Sequence, residues 1–129
     1  MPLVRIALRR GKAAAYLAAI TDGIYQAMRE VFDVPEDDRF MLIDEHDETS
    51  FSYSGTYLGI ARTDELVIIQ ITCNNTRTVQ KKAALYQRIA GILSQNPGLR
   101  PEDIFINLVE VPPENWSFGN GMAQYAKPF

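Results

Sequence analysis

The order in which hydrophobic periods follow one another repeats once along this chain, and that repetition limits its fold more than any single residue does. Leu3-Val4-Arg5-Ile6-Ala7-Leu8-Arg9 alternates apolar and charged positions, the period of a strand. Gly11 breaks it. Residues 12–31 then carry Ala15, Leu17, Ala18, Ile20, Ile24, Ala27, Met28 and Val31 at helical spacing among good helix formers. Phe32-Asp33-Val34-Pro35 ends that helix, because proline disfavours helical geometry in the residue before it. Residues 40–46 read as a second strand. Residues 47–62, rich in Ser, Thr, Tyr and Gly, are predicted as a hairpin or extended excursion punctuated by Gly55 and Gly59. The cycle then restarts. Residues 65–72 are the most strand-like segment, and their near-continuous apolar run predicts a central strand covered on both faces. Asn74-Asn75-Thr76 offers an N-cap for a helix over residues 78–94, with Val79, Ala83, Leu85, Tyr86, Ile89, Ala90 and Leu93 as its apolar stripe. Asn96-Pro97-Gly98 stops it, and residues 104–110 form the last predicted strand.

The predicted fold is therefore α/β, a tandem of two β-α-β units over roughly residues 1–62 and 63–129 without obvious identity between them. A right-handed crossover in each unit lets its two strands lie parallel. Joined, the units make one domain with a four-stranded sheet and both helices on one face, long enough to enclose a core. The other sheet face is left needing cover, which predicts a symmetric assembly.

Several function classes are disfavoured. A net charge of −3 speaks against nucleic acid as the partner, and no apolar run is long enough to span a bilayer. Arg5, Arg9, Arg10 and Lys12 interrupt any signal-peptide core. The single Cys73 excludes an intrachain disulfide, suits a reducing cytoplasm and reads as a buried structural thiol. The lone His46 has too few partners to build a metal site, so neither metal nor cofactor is expected.

The chemistry points to the amino terminus. Met1 precedes a small residue and is expected to be trimmed, leaving Pro2 as a free secondary amine. An α-amino group titrates near pH 8, lower when buried and higher beside a carboxylate. Such an amine can move a proton or attack a carbonyl. Most termini fray; the strand beginning at Leu3 holds this one in the fold. Asp38-Arg39 follows the first helix, Arg77 opens the second, and Trp116-Ser117-Phe118-Gly119 forms an aromatic loop. A cation in the first helical turn opposes the macrodipole by about 0.3–1 kcal/mol, a placement that makes sense if an anion binds there. Plainer readings stand beside these: a turn aspartate at Asp38, a solvated Arg77, tail or interface packing for Trp116 and Phe118, a structural His46, and a solvated helix face for Lys81, Lys82 and Arg88.

Together these features resemble the tautomerase superfamily, whose members use an amino-terminal proline on a repeated β-α-β scaffold. Within it the nearest likeness is to the malonate semialdehyde decarboxylases. It covers nearly the whole chain: Val34-Pro35 with Asp38-Arg39, His46, Gly59 with Arg62, Gln80-Lys81, Tyr86, and the tail Trp116-Ser117-Phe118-Gly119 with Gly121. The resemblance implies a homotrimer and a small oxo acid as substrate. It implies Pro2 as the catalytic, cationic proline, Asp38 as the aspartate working beside it, Arg77 as a binder of the substrate carboxylate, and Trp116 with Phe118 as an aromatic wall. One departure stands out. Those decarboxylases carry Arg-Pro-Arg where this chain has Asn75-Thr76-Arg77, in a register open to one position. Asn75 would then face substrate with an amide that lacks the charge and fork of a guanidinium, leaving Arg62 or Arg39 to supply the missing charge. The implied reaction is decarboxylation of a β-keto acid. The alternatives are keto-enol tautomerisation, hydration or dehalogenation of a related acid, and, outside catalysis, a cytokine-like binding protein on the same scaffold.

Overall fold

The computed structural model describes residues 2–126. Strand β1 (Leu3–Arg9) leads through helix α1 (Ala14–Phe32) to β2 (Met41–His46), and β3 (Val67–Asn74) leads through α2 (Val79–Gln95) to β4 (Ile104–Val111). The four strands form one sheet in the order β2-β1-β3-β4. Within each unit the strands are parallel, Val4 opposite Met41 and Val67 opposite Ile104. The two units meet antiparallel through β1 and β3, with Leu3 opposite Thr72 and Ile6 opposite Ile69. The end of β3 therefore lies beside the start of β1.

Alternation decides which side is dry. Val4, Ile6 and Leu8 on β1 and Val67, Ile69, Ile71 and Cys73 on β3 point to the helices and are buried. Ile20, Ile24, Ala27 and Met28 of α1 and Leu85, Ile89 and Leu93 of α2 meet them. Each valine, leucine, isoleucine or methionine among them contributes about 1.5–3 kcal/mol by leaving water. The helices approach closely at Gly23, where an added Cβ would lie 2.9 Å from both Ile92 Cγ2 and Leu93 Cδ2. Arg88 on α2 bonds Glu30 on α1 and, with Gln26, holds that carboxyl down to about 2.

Five expectations are corrected. β3 is central but its second face is only partly covered by the described residues: Ile68 and Thr72 there are half-buried and Gln70 is exposed. Its pairing continues two residues past Thr72, to Asn74 opposite Val111, because β4 offers partners that far. The cap of α2 is then Thr78, whose hydroxyl accepts from the Lys81 N–H at 3.2 Å, rather than residues 74–76. Val79, first in that helix, is 76% exposed instead of joining the stripe. Nor are Lys81, Lys82 and Arg88 merely solvated: they bond Asp33, Glu110 and Glu30. Residues 47–62 form an excursion without strand, closed by the Asp47 carboxylate accepting from Thr49 and Ser50 and by a short turn at Tyr57–Gly59.

Candidate active site

Pro2 is buried at the mouth of β1. A cavity of about 200 Å³ opens beside it, lined by Pro2, Leu3, Phe40, Trp116, Ser117 and Phe118. Phe40 arrives because its carbonyl accepts from the Val4 N–H at 2.9 Å, which starts the β1–β2 pairing one residue before β2. Trp116 and Phe118 come from the tail after β4, stacked with centroids 5.5 Å apart and planes 19° from parallel. Gly119 at φ 144°, Asn120 at 59° and Gly121 at 65° then turn the chain back, so that Tyr125 meets the Phe118 ring edge-on at 4.8 Å. Met1, whose removal would free the Pro2 amine, lies outside the described residues.

Asp38 sits in the turn between α1 and Phe40 and is half-buried. Burial raises its carboxyl above the usual 3.8, and the cation of Arg77 works against that rise. Arg77 acts likewise on Cys73, whose thiol is raised by burial first and eased by the guanidinium. Through β1–β3 pairing, Cys73 is level with Pro2. Asp38, Cys73 and Arg77 thus share one end of the sheet with the proline.

Arg77 is not in the first turn of α2; it precedes the Thr78 cap. Its Nη2 donates to the Phe32 carbonyl at 3.1 Å, and its guanidinium lies 4.6 Å from the Phe32 ring centroid. It therefore meets the negative end of the α1 dipole rather than the positive end of α2, which removes the conflict raised by its sequence position. Asn75 is exposed and ties the chain to Val111 through its backbone N–H at 3.1 Å. The amide beside the aromatic wall belongs to Asn74, whose Oδ1 accepts from Trp116 Nε1–H at 2.8 Å.

Both arginines nominated to replace the missing charge are engaged elsewhere in the fold. Arg39 turns onto α1, bonding Asp22 at 2.5 Å and lying 5.0 Å from the Tyr25 ring centroid. Arg62 donates to the carbonyls of Ser54 and Tyr57 and closes the excursion. His46 pairs with Arg9 at the far end of the sheet, roughly 20 Å from Pro2 at about 3.3 Å per strand residue. It contacts Ser50 and Phe51 there. Phe40, Leu3 and Asn74 escaped the sequence reading. Phe40 had a signal, a large apolar residue opening a strand parallel to the one that follows Pro2. Asn74 had none, because Trp116 is 42 residues away. Among the described residues, no group of three or more His, Cys, Asp or Glu is placed to hold a metal ion, and no helix is long and apolar enough to cross a membrane.

The fold is thus an antiparallel pair of β-α-β units with a buried proline at the mouth of the first strand. The chain belongs to the tautomerase enzyme family: two family models so described match residues 38–119 and 2–61. It is 44% identical to the probable tautomerase YusQ of Bacillus subtilis (strain 168) over 96% of this chain and 98% of that one. Among solved structures it resembles malonate semialdehyde decarboxylase, studied for its decarboxylase and hydratase activities. The TM-score is 0.90 and identity 28%, over 95% of each chain. A second such decarboxylase, FG41, inhibited by 3-bromopropiolate, matches with a TM-score of 0.89 and 33% identity over 95% of this chain and 93% of that one.

Proposed function

We propose that this chain acts on a small oxo acid with Pro2 as its amino-terminal catalytic residue, and that decarboxylation of a β-keto acid such as malonate semialdehyde is its reaction. The observation that carries the reading is the burial of Pro2 against an aromatic-walled cavity of about 200 Å³. Asp38 and Arg77 at the same end of the sheet support it. In this reading Arg77 holds the substrate carboxylate, and the cationic Pro2 amine, kept protonated beside Asp38, polarises the aldehyde oxygen. The bond to the carboxylate carbon breaks and CO2 leaves. The electron pair moves into an enol whose oxygen takes the proline proton. The enol then takes a proton from solvent on carbon and returns its hydroxyl proton to the Pro2 amine, yielding acetaldehyde. The apolar rings of Phe40, Trp116 and Phe118 strip water from the leaving carboxylate. We further propose that the protein is a homotrimer that covers the open sheet face, where Leu42 is 50% exposed.

The test is NMR of malonate semialdehyde with protein whose mass proves Met1 removed. Acetaldehyde formation, lost in Pro2→Ala and Arg77→Ala, is the expected result; no turnover rejects the decarboxylase. The naming of YusQ as a probable tautomerase favours a second reading, keto-enol tautomerisation with neutral Pro2 as base. Activity rising with pH through the proline titration supports that base, whereas falling activity supports the acid.

A further inference from the structure

We infer that Asn74 is a positioning residue that sets the aromatic wall of the Pro2 cavity by holding the indole of Trp116. The inference rests on the proposed function for what the cavity does, but not for the contact itself. Asn74 ends β3 opposite Val111 of β4, so the sheet fixes its backbone. Its Oδ1 accepts from Trp116 Nε1–H at 2.8 Å in a part-buried setting. An indole nitrogen only donates, so the amide oxygen must face it and the amide NH2 is turned away. Trp116 stacks on Phe118, and Phe118 meets Tyr125. Gln124 clasps the outer end of this row, accepting from the Phe118 N–H and donating to the Gly119 carbonyl, both at 3.0 Å. Asn74 ties the inner end to the sheet. It is not among the residues lining the cavity, whereas Trp116 and Phe118 are. It therefore acts through Trp116: releasing the indole frees a wall of the space in which a small acid must seat.

Trp116 is the only tryptophan in the chain, so its emission reports the contact directly. Asn74→Leu should shift the emission and increase quenching by acrylamide. It should raise KM for malonate semialdehyde about five- to tenfold, the worth of one hydrogen bond, while kcat stays within about threefold and the pH–rate profile keeps its shape. Asn74→Asp keeps an acceptor for the indole and should restore the emission and quenching. In a Trp116→Phe background, Asn74→Leu should change KM no further. If Asn74→Leu does not fold, Asn74→Ala carries the same measurements. Unaltered emission and quenching, an unaltered KM, or a further KM loss in the Trp116→Phe background would each overturn the inference. If the wild-type protein turns over no oxo acid, the proposed function fails separately, and the emission of the Asn74 variants still decides whether the indole is held.

Discussion

Asp38 brings its carboxyl into the fold at a cost, and that cost has a sign that can be measured. Burial raises it above 3.8, so the folded chain holds the proton at a pH where the unfolded chain has released it. The group's contribution to stability is fully present below 3.8 and is lost as pH rises through the higher folded value. The urea midpoint of wild type minus that of Asp38→Asn should therefore fall as pH rises just above 3.8. A difference that does not change there would mean that burial does not govern this carboxyl. Arg77 makes a complementary case. Lysine keeps the charge but loses the planar face against Phe32 and the directed bond to its carbonyl. Arg77→Lys is expected to lower unfolding stability by about 1–2 kcal/mol in denaturant titrations. In the proposed function it should also weaken substrate binding. Neither partner of Arg77 was legible beforehand: the Phe32 carbonyl is 45 residues away, and only the packing of the end of α1 against the start of α2 brings it near.

Among the elements, the helices separate local preference from packing. Gly23 and Gly91 both sit inside helices, where alanine is intrinsically better by about 1 kcal/mol. At Gly91 an added Cβ meets nothing within 4 Å, so Gly91→Ala should stabilise by up to that amount. At Gly23 it would press within 2.9 Å of Ile92 and the fully buried Leu93. Overpacking costs about 1–3 kcal/mol, so Gly23→Ala should be the less stable of the two. Thermal or urea unfolding of both variants checks the order. Thr78→Ala removes the hydroxyl that accepts from Lys81 and should cost about 1 kcal/mol by the same measurement. Periodicity is local, so both helices and all four strands were readable to within two residues. The cap was not, because residues 74–76 are three polar residues in a row and only the reach of β4 decides which of them the sheet takes.

For the whole molecule, the two faces of the sheet pose the remaining question. One is closed by α1 and α2; the other presents Leu42, Phe105 and Val109 among the Arg5–Asp44 ion pair and the Gln70–Asn107 hydrogen bond. Such a mixed apolar face fits burial between copies better than permanent exposure. Light scattering after size exclusion should give the mass of three chains, and the Leu42→Asp, Val109→Asp double variant should give a smaller one. An unchanged mass would move the interface off this face.

The order of elements, the large aliphatic members of the buried stripes and the proline at the head of the first strand were set by the sequence alone, since each follows from periods and residue types within a few positions; Val79 and Ala83, predicted in the α2 stripe, are exposed. The meeting of β1 with β3 in antiparallel register, which brings Pro2 level with Cys73, was not, because nothing local encodes how two separate units join. The same holds for the turning of Arg77 onto α1, the dismissal of Arg39 and Arg62 to other partners, and the choice of Asn74 over Asn75 as the residue at the aromatic wall. Each depends on which groups compete for a donor or acceptor once distant segments are packed together, and that competition exists only in the folded chain.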